Sequence, residues 1–491
     1  MIPVLTLAVM LADSSQCDAI AKLALTNTTI TSARWVTEGP MAAEGAPPAA
    51  QRTAPAPILP AHCRVAILMK PSADSHIEAE VWLPAEWNGK FEAVGNGGWA
   101  GSITYPAMAR ALQEGDATAS TDTGHKGGNS SFAIGHPDKL IDFGYRSIHE
   151  MTVQSKAIVA AFYKRSARLS YWNGCSTGGR QGLMAAQRYP DDFDAILAGA
   201  PANNHTRMGI SRLAVSVPTA RDAAAAVPRA KLEMVTRAVL KACDAADGAK
   251  DEFLNDPRAC KFDVASLQCT GADNDSCLTA PQVATMKSAY APVKLPNGEM
   301  VFPGKELGSE TTWGMVGGTP DALSVTAVQI AHNDAAWDPK TFDLAHDLTL
   351  TLEKVGAVVA AIDPNLRPFK ARGGKLLLYH GWNDGLISPG NTVNYFEDVN
   401  KTMGRQDDFV RLFMVPGMGH CQGGAGADQV NWMGALERWR ESGKAPDRIE
   451  AAHVAGNRVE LTRPLCPYPQ IAKYSGIGST NDAQNFSCVA R

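Results

Sequence analysis

The sequence lacks any apolar run long enough to cross a bilayer; residues 2–12, its most membrane-like stretch, fall short of the roughly 20 residues a spanning helix needs. It also lacks an excess of either charge. Its 46 Lys and Arg against 50 Asp and Glu leave a formal charge of −4 over 491 residues. That balance argues against a nucleic acid or an anionic membrane as partner. There is no Cys-x-x-Cys and no Cys/His cluster with zinc spacing. No internal repeat or low-complexity tract is present. With 45% apolar residues, the chain has the composition of a soluble globular protein, and its length suits a large core carrying an insertion.

Cysteine is not scarce: Cys17, Cys63, Cys175, Cys243, Cys260, Cys269, Cys277, Cys421, Cys466 and Cys488 form an even set. Residues 1–12 read as a signal-peptide remnant without a basic start. Together these features predict disulfides and a secreted or periplasmic location. Nearest-neighbour pairing of eight gives Cys17–Cys63, Cys243–Cys260, Cys269–Cys277 and Cys466–Cys488. That leaves Cys175 and Cys421 for each other, although spacing does not prove the connectivity.

Residues 43–60 are rich in Ala and Pro and read as a surface loop. Short strand patterns are expected at 64–69, 78–83, 91–94, 169–173 and 194–199, with a helix around 148–165 and another after 178. The same alternation resumes at 375–380 and 411–415. Short apolar strands alternating with helices predict an α/β fold with a mainly parallel sheet. Residues 13–204 and 367–491 make up this core. Between them, residues 205–366 hold few strand signals and are expected to form an inserted lid domain.

Gly174-Cys175-Ser176-Thr177-Gly178 matches G-x-S-x-G between an expected strand and an expected helix. The pattern suits a nucleophilic serine on a sharp strand-to-helix turn. A serine hydroxyl needs a base, and in such folds the order along the chain is Ser, acid, His. Asp384 follows one late strand and His420 follows the next, so Ser176, Asp384 and His420 are the candidate triad. His125, His332 and His380 are rival bases, of which His380, at the end of a strand, is expected to be structural; Asp122 and Asp363 are rival acids. Thr177 N–H, directly after the nucleophile, and Gly98, at the end of an early strand, are the candidate oxyanion donors. A Cys175–Cys421 bridge would pin the serine turn to the histidine loop.

The motifs around Ser176, Asp384 and His420, with Pro84-Ala85-Glu86-Trp87-Asn88-Gly89 and Arg463-Pro464-Leu465-Cys466-Pro467-Tyr468-Pro469, resemble the tannase and feruloyl esterase family over nearly the whole chain. The resemblance implies an α/β-hydrolase core with a lid, the Ser176-Asp384-His420 triad, a Cys175–Cys421 disulfide and the four nearest-neighbour pairs. It also implies a structural Ca2+ in the lid, held by the side chains of Asp244, Asp247 and Asp251 and the carbonyls of Ala249 and Phe253. Oxygen donors of this kind suit a hard cation. The glycine usual after the last of these aspartates is Glu252 here, and Lys250 is expected to face solvent. The implied activity is hydrolysis of small esters of aromatic acids, feruloyl esters first, with gallate esters or mono(2-hydroxyethyl) terephthalate as rivals. A ligand-binding protein on the same scaffold, without activity, is the rival of another class; a serine peptidase is a third. Trp313, Met315, Trp337, Phe342 and Ile387 either wall the acyl pocket or pack in the core; the sequence favours neither role.

Overall fold

A computed structural model describes residues 13–41, 56–99 and 101–491. The expected signal-peptide remnant at 1–12 and most of the expected loop at 43–60 lie outside the described residues. At the edge of the latter, Ile58–Leu59 pairs with Gly39–Pro40.

Nine strands form the central sheet. In chain order they are β1 (Thr28–Val36), β2 (His62–Met69), β3 (Ile77–Pro84), β4 (Lys90–Val94), β5 (Ala117–Thr121), β6 (Leu169–Cys175), β7 (Ala195–Gly199), β8 (Lys375–Gly381) and β9 (Val410–Val415). Their order across the sheet is β1-β2-β3-β5-β4-β6-β7-β8-β9. The pairings from β1 to β5 are antiparallel, and those from β5 to β9 are parallel. The parallel half is buried on both faces, so its strands read as near-continuous apolar runs such as Leu376-Leu377-Leu378. The core packs against helices including α1 (Ser147–Tyr163) and α2 (Thr177–Arg188).

Every strand expected from the sequence is present within two residues of its predicted ends. Two strands of the sheet, β1 and β5, were not anticipated. Ala117-Thr118-Ala119-Ser120-Thr121 is fully buried but built of small residues, which give little strand signal.

Residues 205–366 connect β7 to β8. They are mainly helical and include α3 (His205–Arg221), α4 (Ala322–His332) and α5 (Leu344–Thr351). The segment builds two apolar cores of its own. Trp313 and Met315 belong to one, Trp337 and Phe342 to the other. These four side chains therefore hold the segment together and do not line the Ser176 pocket; of the two roles open to them, core packing is the one observed. An aromatic side chain has the same sequence signature in either role.

Five disulfides pair Cys17–Cys63, Cys175–Cys421, Cys243–Cys260, Cys269–Cys277 and Cys466–Cys488. Among the described residues, no helix is long and apolar enough to cross a membrane.

Candidate active site

Ser176 stands between β6 and α2 with φ +63° and ψ −123°. A non-glycine residue rarely adopts this region, and such strain persists only where the surroundings enforce it. The surroundings here are backbone: Ser176 N–H donates to Gly199 O on β7 at 2.9 Å. The flanking glycines permit the close approach of strand and helix. A Cβ on Gly174 would lie 2.4 Å from the carbonyl of Gly178, and one on Gly179 would lie 2.5 Å from Gly199 O.

The loops after β8 and β9 supply the other two groups. His420 Nδ1 hydrogen-bonds Asp384 Oδ2 at 2.7 Å. The other carboxylate oxygen, Oδ1, accepts from the N–H groups of Leu386 and Ile387 at 2.8 and 2.9 Å. Asp384 is wholly buried. Burial opposes its ionisation, but hydrogen bonds from His380 and His420 and the charge those rings can carry outweigh it, so the carboxyl stays far below its usual range. Ser176 and His420 open into one pocket. The Cys175–Cys421 bridge sets the Cα atoms of their neighbours 6.0 Å apart.

His380, expected to be structural, is wholly buried and bonded to Asp384. Its Nε2 lies 3.0 Å from Asp384 Oδ2, and its Nδ1 lies 2.7 Å from Thr392 Oγ1. The other rivals are elsewhere. His125 stacks on Phe132 and bonds the carbonyl of Trp99, while His332 lies at the far end of α4. Asp122 accepts from the N–H groups of Glu78 and Gly124, and Asp363 from that of Asn365.

Gly98 and Thr177 line the same pocket as Ser176. Thr177 begins α2, so its N–H has no partner within the helix. Its hydroxyl donates to Gly98 O at 2.8 Å and fixes the two positions together. Gly98 has φ +56°, a conformation that favours glycine.

The remaining pocket walls come mostly from residues the sequence did not single out: Trp99, Met208, Leu323 and Leu386, with Ile387 as anticipated. His205 and Arg212, both from α3, add polar atoms. Burial, with Arg180 and Arg212 nearby, pushes His205 down to about 3, so its ring is neutral. Arg212 pairs with Asp321 at 2.6 Å, which fixes its guanidinium beside Leu323 and Ser324. Lys305 reaches from the inserted segment to donate to Leu386 O at 3.2 Å, behind the acid loop.

Outside the Ser176 pocket, Asp244, Asp247 and Asp251 share one turn. Asp244 accepts from the N–H groups of Asp251 and Glu252, and Asp247 from that of Ala249. Asp251 Oδ2 meets Arg463 at 2.5 Å, while its Oδ1 is buried without a hydrogen-bond partner. Ala249 and Phe253 are buried beside it and Lys250 is exposed. Glu252 has φ +70°, the conformation that the glycine usual at this position adopts readily.

Comparison with known proteins bears on what this arrangement belongs to. The family model described as tannase and feruloyl esterase matches residues 63–489. The chain belongs to the tannase and feruloyl esterase family. Within it, a protein from Xanthomonas campestris pv. campestris named only as an uncharacterized esterase is 38% identical over 97% of this chain and 91% of its own. A probable feruloyl esterase B-2 from Aspergillus terreus is 36% identical over 87% of this chain and 86% of its own. The crystal structure of feruloyl esterase B from Aspergillus oryzae superposes with a TM-score of 0.92 at 31% identity, covering 97% of this chain and all of that one. The tannin acyl hydrolase of Aspergillus niger shares the fold at a TM-score of 0.79 and 22% identity, over 98% of this chain and 95% of that one. The family's fold is thus the α/β-hydrolase sheet described above.

Proposed function

We propose that this protein is a serine carboxylic ester hydrolase acting on esters of aromatic acids, with feruloyl esters as its preferred class. The observation that carries the reading is the convergence, on one pocket, of the strained Ser176 with a histidine already hydrogen-bonded to a buried carboxylate. In this mechanism Ser176 Oγ attacks the ester carbonyl as His420 takes its proton. Asp384 orients the ring and stabilises its charged form. The N–H groups of Gly98 and Thr177 hold the tetrahedral oxyanion. His420 then protonates the leaving alcohol, and water, activated by the same ring, releases the acid. Trp99, Met208 and Ile387 would give the acyl group apolar walls. Relatives named as feruloyl esterases support the choice of acyl group.

Residues 205–366 act as the lid in this reading, since α3 and α4 supply His205, Arg212, Leu323 and Ser324 to the pocket. The turn at 244–253 fits a Ca2+ ion: it offers three carboxylates, an unpartnered buried oxygen and nearby backbone carbonyls. Asp244, Asp247 and Asp251, with the carbonyls of Ala249 and Phe253, would hold it. The ion would brace the lid base against Arg463 and take no part in the reaction. Chelation with EGTA should then lower the melting temperature of the wild type but not that of Asp247→Asn. The five disulfides favour an oxidising, extracytoplasmic location.

The test is a panel of methyl ferulate, methyl gallate and mono(2-hydroxyethyl) terephthalate with wild type and Ser176→Ala. Turnover should be fastest on methyl ferulate and vanish in the variant, with folding unchanged. Retained turnover in Ser176→Ala would refute the catalytic assignment. Fastest turnover on methyl gallate would move the acyl preference to tannins.

A further inference from the structure

At the outer end of the inserted segment, two helices bring three metal-ligating side chains together. His332 is the last residue of α4, and His346 and Asp347 lie in the first turn of α5. His332 Nε2 is 2.8 Å from Asp347 Oδ1, and His346 Nδ1 is 3.1 Å from the same oxygen. All three ligand atoms lie within 4.8 Å of one another. The second oxygen of Asp347 is occupied by the N–H of Asp343 at 2.9 Å, which fixes the carboxylate plane. His346 is also placed from below, because its own N–H donates to Asp343.

A hydrogen-bond role for this cluster needs only one imidazole. Here two rings aim a nitrogen at one oxygen. A single cation replacing their protons would satisfy both nitrogens and the carboxylate together. Bonds of about 2.0–2.2 Å in a tetrahedral site place neighbouring donor atoms about 3.4 Å apart. The observed spacings of 2.8 and 3.1 Å are about 0.6 and 0.3 Å shorter than that, and the two imidazole nitrogens lie within 4.8 Å of each other, so the side chains must adjust on binding. Two imidazoles and one carboxylate suit a borderline cation rather than Ca2+ or Mg2+. Asp347 is buried and His346 is two-thirds exposed, so one side of the site is dry and the other open to water as a further ligand. His332 is held in place by stacking on Trp337.

We propose that His332, His346 and Asp347 form a binding site for a divalent transition-metal ion, of which Zn2+ is the representative. The site is distinct from both the Ser176 pocket and the acidic turn at 244–253. It clamps the C-terminal end of α4 to α5, while the N-terminal end of α4 carries Leu323 and Ser324 in the wall of the Ser176 pocket.

The test uses the untagged full-length protein in excess Ca2+, so that the acidic turn is saturated. Zn2+ is titrated against a chromophoric chelator, and Co2+ is added separately to record its visible absorption. The wild type should take up one equivalent of Zn2+ and give the intense bands of low-coordinate Co2+. Both should be lost, or weakened more than about tenfold, in His346→Ala and in His332→Ala. His346 is exposed and remote from Ser176, so His346→Ala should keep wild-type esterase turnover and is the decisive variant. Asp247→Asn should bind Zn2+ as the wild type does. Wild-type uptake no greater than that of a His332→Ala/His346→Ala double variant would overturn the proposal. So would undiminished uptake by His346→Ala.

Discussion

The Cys175–Cys421 bridge joins the residue before the proposed nucleophile to the residue after the proposed base, and its removal should have two separable effects. The first is on stability. It closes a loop of 246 residues, for which the chain-entropy model gives about 5.5 kcal/mol as a ceiling. The Cys269–Cys277 bridge closes only 8 residues and gives about 2.5 kcal/mol on the same model. For a chain of 491 residues the unfolding entropy is about 1 kcal/mol per degree, so the melting temperature should fall by about 5 °C and 2–3 °C respectively. The second effect is on chemistry. Cys421 sits at φ +66°, a conformation the bridge helps to enforce beside His420. Released, the histidine loop can relax, and a displacement of about 1 Å costs on the order of a hundredfold in rate. Cys175→Ala/Cys421→Ala should therefore lose kcat on methyl ferulate, with KM little changed. Cys269→Ala/Cys277→Ala should lose stability alone. Thermal melts and steady-state kinetics on both double variants decide the matter. Equal melting shifts would refute the loop-length argument, and an unchanged kcat in the first variant would refute the alignment argument.

Replacing His380 by Leu, which has no donor, withdraws one charge-assisted hydrogen bond from Asp384, worth about 1.5–3 kcal/mol. We expect kcat to fall about tenfold or more at constant KM, and wild-type kinetics would show that His380 is only packing. Gly174→Ala sets a methyl group 2.4 Å from the Gly178 backbone, so the variant should express poorly or melt several degrees lower; a wild-type melt would mean that strand and helix separate more easily than their packing implies. Glu92 is buried on β4, where burial and the charge of Asp116 push it up to about 8 against a hydrogen bond from Asn173. Its neutral form is favoured by folding. That contribution is complete below the unfolded value of 4.5 and is lost as pH rises through about 8. Glu92→Gln keeps an acceptor for Asn173 and should match the wild type in acid, yet exceed it by up to a few kcal/mol above pH 8; parallel urea titrations at both pH values would reveal a constant difference if the reasoning fails.

The candidate triad of Ser176, Asp384 and His420 could be picked out because each sits in a motif that encodes a backbone event as well as a chemical group. The glycines around Ser176 are demanded by the approach of α2 to β6, and the acid and base each follow an apolar strand. The central strands were legible for the same reason, since burial on both faces leaves a continuous apolar run. β5 was not, because its burial is achieved with Ala, Ser and Thr. His380 shows a different limit. Its place at the end of a strand marked it as structural, but the group it serves was not visible; the hydrogen bond to Asp384 Oδ2 identifies it.

The acyl pocket was the least legible part, and the reason is geometric. Its walls are drawn from β4–β5 connections, from α3, from the start of α4 and from the acid loop, so no local pattern marks them. The aromatic residues that stood out in the sequence instead fill the inserted segment's own cores. The cluster of His332, His346 and Asp347 was hidden in the same way: His332 and His346 lie 14 residues apart on two helices, and no paired Cys or His residues flank them as in a zinc motif. A catalytic turn must be written into contiguous residues because the backbone itself is strained there. A pocket wall or a metal site needs only side chains that the fold delivers to one place, and for these the topology carries the information.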